Sequence, residues 1–98
     1  MTHLLLKDEL LDAQLLRTVG AAPYGGADVG ECLATAARVE GTNLTSWHDE
    51  WTATAERVSA LAESELAAGR LETARSAYFR SSSYFRTAGV MLMARPVD

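Results

Sequence analysis

The sequence predicts an all-α fold of about four helices, the last two paired as a long antiparallel hairpin. Three observations carry that prediction. Of the 98 residues, 17 are Ala and 13 are Leu, against six Val and no Ile, a bias toward helix formers and away from the β-branched residues that strands favour. Apolar residues recur at spacings of three and four in four separate stretches. Only two prolines and seven glycines interrupt the chain. A chain of this length buries roughly two-thirds of its unfolded surface, which suits a single helical domain over residues 1–98.

The first helix is expected near 5–19. Leu4, Leu5, Leu11, Leu15 and Leu16 fall on one side and Lys7, Asp8, Asp12 and Arg17 on the other, and Gly20 ends it. The stretch GAAPYGGADVG holds four glycines and a proline in eleven residues and reads as a loop. A second helix over 28–40 starts at Asp28, whose side chain can accept first-turn N–H groups, with Glu31 placed to reach back in a capping box. Its inward stripe is Val29, Cys32, Leu33, Ala36 and Val39, and it should stop near Glu40 and Gly41. Asn43 or Thr45 caps the third helix, 44–68. Its stripe of Leu44, Trp47, Trp51, Ala55, Val58, Ala62 and Leu66 persists for more than six turns, and Gly69 stands where a left-handed residue closes a helix. The fourth helix, 72–93, packs through Ala74, Ala77, Tyr78, Ser81, Tyr84, Phe85, Ala88 and Leu92, with Arg75, Arg80 and Arg86 off that stripe and Pro96 as a stop. So short a link between the last two helices makes them an antiparallel pair.

Thirteen acids against nine bases leave a net charge of −4, the wrong sign for a nucleic-acid partner. A lone Cys32 permits neither an internal disulfide nor a cysteine-framed zinc site, and reads as a small buried apolar residue in a cytoplasmic protein. No apolar run approaches the roughly 18 residues of a membrane span, so no membrane partner is expected.

Catalytic signals are weak. The loop lacks the G-x-G-x-x-G spacing, and no Gly-Lys-Ser/Thr follows it. His3 and His48 are far apart and His48 reads as solvent-facing, so neither a metal site nor a cofactor is expected. Asp49 and Glu50 are helical neighbours that diverge. Ser81, Ser82 and Ser83 lie within a helix with no G-x-S-x-G around them and read as packing residues, so no catalytic residue is assigned. Leu61, Ala62, Gly69, Ala74, Tyr78 and Ser81 follow the cadence of one tetratricopeptide unit, but about three units are needed for a solenoid. What stands out is aromatic surface: Trp47, Trp51, Tyr78, Phe79, Tyr84 and Phe85 crowd one hairpin on more than one face. Either the first two helices wrap the hairpin closely, or an aromatic face is left for a partner or ligand.

Three segments carry a resemblance to a known family: YGGADVGECLATAARV, SWHDEWTATAERV, and the stretch from Gly69 through SAYFRSSSYFRTA, with its A-x-x-A-Y-x-R-x-S-x-Y-x-R cadence. Over about residues 15–93 the chain resembles the N-terminal helical region of the fermentation-respiration-switch-like and 2,6-dihydroxypseudooxynicotine hydrolase branch of the α/β-hydrolases. The resemblance implies a helical cap over the active site of a following hydrolase domain, and that domain supplies the nucleophile elbow, acid and histidine. This chain carries none of these, so catalysis by the chain alone is not expected. The implied chemistry is serine-mediated hydrolysis of an ester, or of a carbon–carbon bond beside a carbonyl, in a small aromatic or polyketide-like substrate. On that reading Tyr24, Trp47, Phe79 and Tyr84 line the substrate pocket and Arg86 orients an acidic substrate group. The implied partner is an α/β-hydrolase catalytic domain, in cis or in trans. The alternative is a stand-alone helical protein-interaction module, a homo-oligomer such as a dimer that buries its aromatic hairpin face.

Overall fold

The structure, a computed structural model, describes residues 9–41 and 43–94. His3, Leu4, Leu5, Lys7, Asp8 and Pro96, and the packing of Leu92, lie outside the described residues. Among the described residues four helices follow one another: α1 (Glu9–Val19), α2 (Val29–Arg38), α3 (Leu44–Ala67) and α4 (Leu71–Ala94), with a 3-10 turn at Ala22–Tyr24 between α1 and α2. The all-α class and the long hairpin of α3 and α4 are as predicted; the 3-10 turn is an addition.

Helix α3 runs 24 residues; its apolar stripe stays in phase from Trp47 to Ala62, while Leu66, expected in the same stripe, is half exposed. Trp47, Trp51, Ala55, Val58 and Ala62 are all buried. Asn43 is the N-cap, its side chain accepting from the Ser46 N–H at 3.0 Å. The turn to α4 is a Schellman closure: Gly69 at φ 83° donates to the Leu66 carbonyl and Arg70 donates to that of Glu65. Arg70 also pairs with the Glu65 carboxylate, which holds its guanidinium above the ordinary range.

On α4 the buried positions Ala74, Ala77, Ser81, Tyr84 and Ala88 are spaced 3, 4, 3 and 4, and Ser83 and Thr87 beside them are buried as well. Tyr78 and Phe85, expected in the same stripe, are exposed instead. The reason is helix separation: a row of alanines and one serine lets α4 lie close against α3, which narrows the buried stripe and leaves flanking aromatics outside. Ser81 Oγ donates to the Ala55 carbonyl at 3.0 Å across that close contact. Higher up, the gap holds the rings of Trp47, Trp51 and Tyr84, tilted against one another with centroids 5.5 and 5.7 Å apart. The Trp47 indole N–H donates to the Thr87 carbonyl at 2.9 Å.

Helices α1 and α2 lie on this hairpin; Leu11, Leu15, Cys32, Ala36 and Val39 are buried as expected, but each inward face is rotated from the expected stripe. In α1 the buried residues are Leu11, Asp12, Leu15 and Thr18, while Leu16 is 59% exposed. The helix touches both α2 and α4, and the face that serves both is centred on Leu11, Leu15 and Thr18, so Asp12 enters and Leu16 leaves. In α2 the buried face is Cys32, Thr35 and Ala36, with Val39 at the C-cap, while Val29 and Leu33 are exposed. Thr35 can go inside because its hydroxyl finds the Thr54 hydroxyl at 2.7 Å.

The capping box at Asp28 forms by half. Asp28 Oδ2 accepts from the Glu31 N–H at 2.9 Å, but the Glu31 carboxylate does not return to the Asp28 N–H. It accepts from the Tyr84 hydroxyl at 2.7 Å and from Arg80, and the Asp28 N–H donates to Tyr84 Oη at 2.8 Å. A tyrosine from α4 thus stands in for the glutamate and fastens the start of α2 to the hairpin.

Candidate functional site

A groove of about 190 Å³ opens where the C-terminal half of α1 and the following turn meet α4. Helix α1 supplies Gln14, Arg17 and Thr18, the turn supplies Ala21, and α4 supplies Ser83, Arg86, Thr87 and Val90. Thr18 and Thr87 are buried with their hydroxyl oxygens 2.8 Å apart, a contact that joins the two walls. Both threonines also lie within bonding distance of the carbonyl four residues back, Gln14 and Ser83 respectively. Arg17 and Arg86 both face the groove, and neither is ion-paired among the described residues. The groove can therefore present two guanidinium groups and an amide to a polar ligand, beside apolar walls at Ala21 and Val90.

The five residues singled out from the sequence fall into two groups. Arg86 lines the groove; Phe79, 48% exposed, is not among its lining residues and packs instead against the Gly25–Gly26 corner. A Cβ on Gly26 would come within 3.1 to 3.4 Å of Ala21, Ser83 and Phe79, so a side chain there would push these neighbours back by a few tenths of an ångström. Tyr24, on the 3-10 turn just before that corner, is 82% exposed. Trp47 and Tyr84 are completely buried and meet no open surface. They support the groove from behind, Trp47 by holding the Thr87 carbonyl and Tyr84 by holding Asp28, where the loop ends.

The electrostatics behind the groove are those of a closed polar network. Tyr84 is held well above its usual phenol range, first by burial and then by its bond to Glu31. Burial also pushes the Cys32 thiol up, to about 11, so it stays protonated at neutral pH. For Arg80 burial works against the charge, but the bond and charge of Glu31 outweigh it and the guanidinium is held above its ordinary range. None of these groups is poised to exchange protons near neutrality.

Nothing in the described residues assembles a nucleophile with a base. Ser81 is engaged with the Ala55 carbonyl, and His48, half exposed, has only Asp49 at 3.5 Å. Among the described residues no three His, Cys, Asp or Glu side chains gather as metal ligands, and no helix is long and apolar enough to cross a membrane. The sequence signals missed Gln14, Arg17, Thr18 and Thr87. Arg17 reads as an outer-face charge, and two threonines 69 residues apart carry no pattern that joins them.

Comparison with known proteins places the chain among hydrolases by similarity. It is 38% identical over 94 residues to hydrolyase poxO of Penicillium oxalicum, covering 96% of this chain and 22% of that protein. It is 36% identical over 96 residues to 20-hydroxy-prefusarin hydrolase FUS2 of Gibberella moniliformis, covering 98% of this chain and 23% of that protein. It is 38% identical over 95 residues to α/β hydrolase psoB of Aspergillus fumigatus, covering 97% of this chain and 21% of that protein. The chain thus spans about a fifth of the length of the curated relatives it matches. No protein-family model matches the chain. No solved structure matches it either.

Proposed function

We propose that this chain is the helical cap portion of an α/β-hydrolase and that it shapes the substrate pocket without supplying the catalytic triad. The observation that carries the reading is the match of nearly the whole chain to about a fifth of several proteins named hydrolases. A helical piece with no nucleophile–base pair among its described residues, and an open groove beside exposed aromatics, suits the part of a hydrolase that covers an active site. The branch is that of the fermentation-respiration-switch-like and 2,6-dihydroxypseudooxynicotine hydrolases, and residues 1–98 form one cap domain. The reaction is serine-mediated hydrolysis of an ester, or of a carbon–carbon bond next to a carbonyl, in an aromatic or polyketide-like substrate.

In this reading the α1–α4 groove faces the substrate. Tyr24 and Phe79 form the apolar rim, and Arg86 with Arg17 attracts an acidic or carbonyl oxygen. Trp47 and Tyr84 act as positioning residues beneath them. Covering the site excludes water, which strengthens each polar contact made there.

A second reading has one observation in its favour. Leu71, Tyr78 and Phe85 are exposed at a strict seven-residue spacing along α4, the repeat of a seam that meets another helix. A homodimer pairing these seams is the stand-alone alternative. Sedimentation equilibrium with a hydrophobic dye separates the two. A cap without its hydrolase domain binds dye and associates without a fixed stoichiometry, whereas the stand-alone module is a discrete dimer that binds none. A monomer that binds no dye contradicts both.

A further inference from the structure

A second groove, of about 280 Å³, lies between α2 and α3 and shares no residue with the first. Thr54, buried, is one of its lining residues. Arg38 Nη2 donates to the Thr54 hydroxyl oxygen at 3.0 Å and Arg57 Nη2 donates to it at 2.8 Å, so two cationic groups converge on one neutral atom. The proton count shows how fully the oxygen is used. Thr35 donates its one hydroxyl proton to the Glu31 carbonyl at 2.7 Å, so the 2.7 Å contact between the two threonines is made by the Thr54 proton. Both Thr54 lone pairs are then occupied by guanidinium N–H groups.

This charge is incompletely matched. Arg38 pairs through Nε with Glu50 at 3.0 Å, but Arg57 has no carboxylate partner among the described residues. Glu31 borders the groove, yet its carboxylate is held by Arg80 and by the Tyr84 hydroxyl. In a chain of net charge −4, two guanidinium groups held together over a buried hydroxyl form a local site of opposite sign. Guanidinium forks suit planar oxyanions, which accept two parallel N–H bonds. The remaining wall is apolar, built from Ala34, Val58 and the half-exposed Leu61.

We infer that Arg38 and Arg57, set on Thr54, form a binding site for a monocarboxylate carried on a short apolar chain. The carboxylate lies across the two guanidinium groups and the chain lies on Val58 and Leu61. The site is independent of the proposed cap function, and its test does not involve hydrolysis.

The test is titration of the full chain with sodium hexanoate at constant ionic strength, followed by the Arg side-chain Nε–H signals in 1H–15N spectra. Hexanamide, neutral and of the same shape, is the control. The expected result is saturable shifts at Arg38 and Arg57 with hexanoate and none with hexanamide. Arg57→Met should weaken hexanoate binding about tenfold or more, and Arg57→Lys should weaken it less, because it keeps the charge and loses the fork. Hexanoate should also raise the Tm of the wild type and not that of Arg57→Met. Equal shifts with acid and amide, unchanged affinity in Arg57→Met, or shifts at Arg17 and Arg86 in place of Arg38 and Arg57 would each overturn the assignment. If Arg57→Met fails to fold, the acid–amide comparison and Arg57→Lys still decide it.

Discussion

Removing one oxygen, in Tyr84→Phe, tests how firmly the Tyr84 hydroxyl fastens the start of α2, beside the Arg80–Glu31 and Thr35–Thr54 links. The phenol accepts from the Asp28 N–H at 2.8 Å and donates to Glu31 at 2.7 Å. A phenylalanine ring keeps the tilted contact with Trp51, so the loss is confined to those two bonds. Leaving a partly buried donor without a partner costs about 1–3 kcal/mol, while Glu31 keeps Arg80 and loses less. The sum expected is about 2–3 kcal/mol, which for a chain of this size lowers Tm by roughly 10–20 °C. Urea unfolding followed by circular dichroism measures it, with an unchanged m-value showing that the folded and unfolded states stay comparable. Amide exchange at Asp28 should accelerate, and Glu31→Gln combined with Tyr84→Phe should destabilise by less than the sum of the two singles. A loss of under about 0.5 kcal/mol with unchanged Asp28 exchange would refute the reasoning, since ordinary surface changes stay within that size.

Other outcomes follow from the same geometry. Trp47→Phe removes the donor to the Thr87 carbonyl and opens a gap beside Trp51, and thermal unfolding should show a loss of about 2–4 kcal/mol. Two glycines should respond with opposite signs. Gly69→Ala forces a Cβ into a φ of 83° and should cost about 1–2 kcal/mol, whereas Gly89→Ala, in the interior of α4 with open space around the new Cβ, should gain about 0.5–1 kcal/mol. Alkaline pH should weaken the fold through Cys32. Unfolded, the thiol ionises near 9.0; buried, it holds its proton to about 11. Its contribution is therefore full below pH 9 and is lost as the pH rises toward 11, by about 2–3 kcal/mol in all. Tyr84 adds a loss of the same sign at higher pH, since its phenol is also raised. Denaturant midpoints that stay flat from pH 8 to 10.5 would contradict this, and Cys32→Ala should remove the lower part of the slope.

The long hairpin was legible in the sequence because its signals are local and redundant: an unbroken stripe from Trp47 to Ala62, a capping Asn43 and a closing Gly69. Which faces of α1 and α2 turn inward was less legible, since a hydrophobic stripe records apolar residues and not partners. Asp12 and Thr35 are buried while Leu16 and Leu33 are exposed, because α1 must touch two helices at once and Thr35 meets a hydroxyl on α3. The candidate groove shows the same division. Arg86 and Phe79 were picked out off the packing stripe; Arg86 lines the groove, while Phe79 packs against the neighbouring Gly25–Gly26 corner. Trp47 and Tyr84 were singled out as large aromatics, but size alone does not separate a wall from a support. Arg17, Thr18 and Thr87 needed the fold, because only the crossing of α1 over α4 brings them together.

The proposed role as the cap of a hydrolase is tested most simply by replacement. In 20-hydroxy-prefusarin hydrolase FUS2, the fifth of the protein that matches this chain is exchanged for it, and turnover of 20-hydroxy-prefusarin is compared with that of a version lacking the segment. The account predicts that the exchanged protein turns over and the shortened one does not, and that Phe79→Ala or Arg86→Ala in the exchanged segment raises KM more than it lowers kcat. Full turnover by the shortened protein, or a folded exchanged protein whose KM ignores both substitutions, would contradict it.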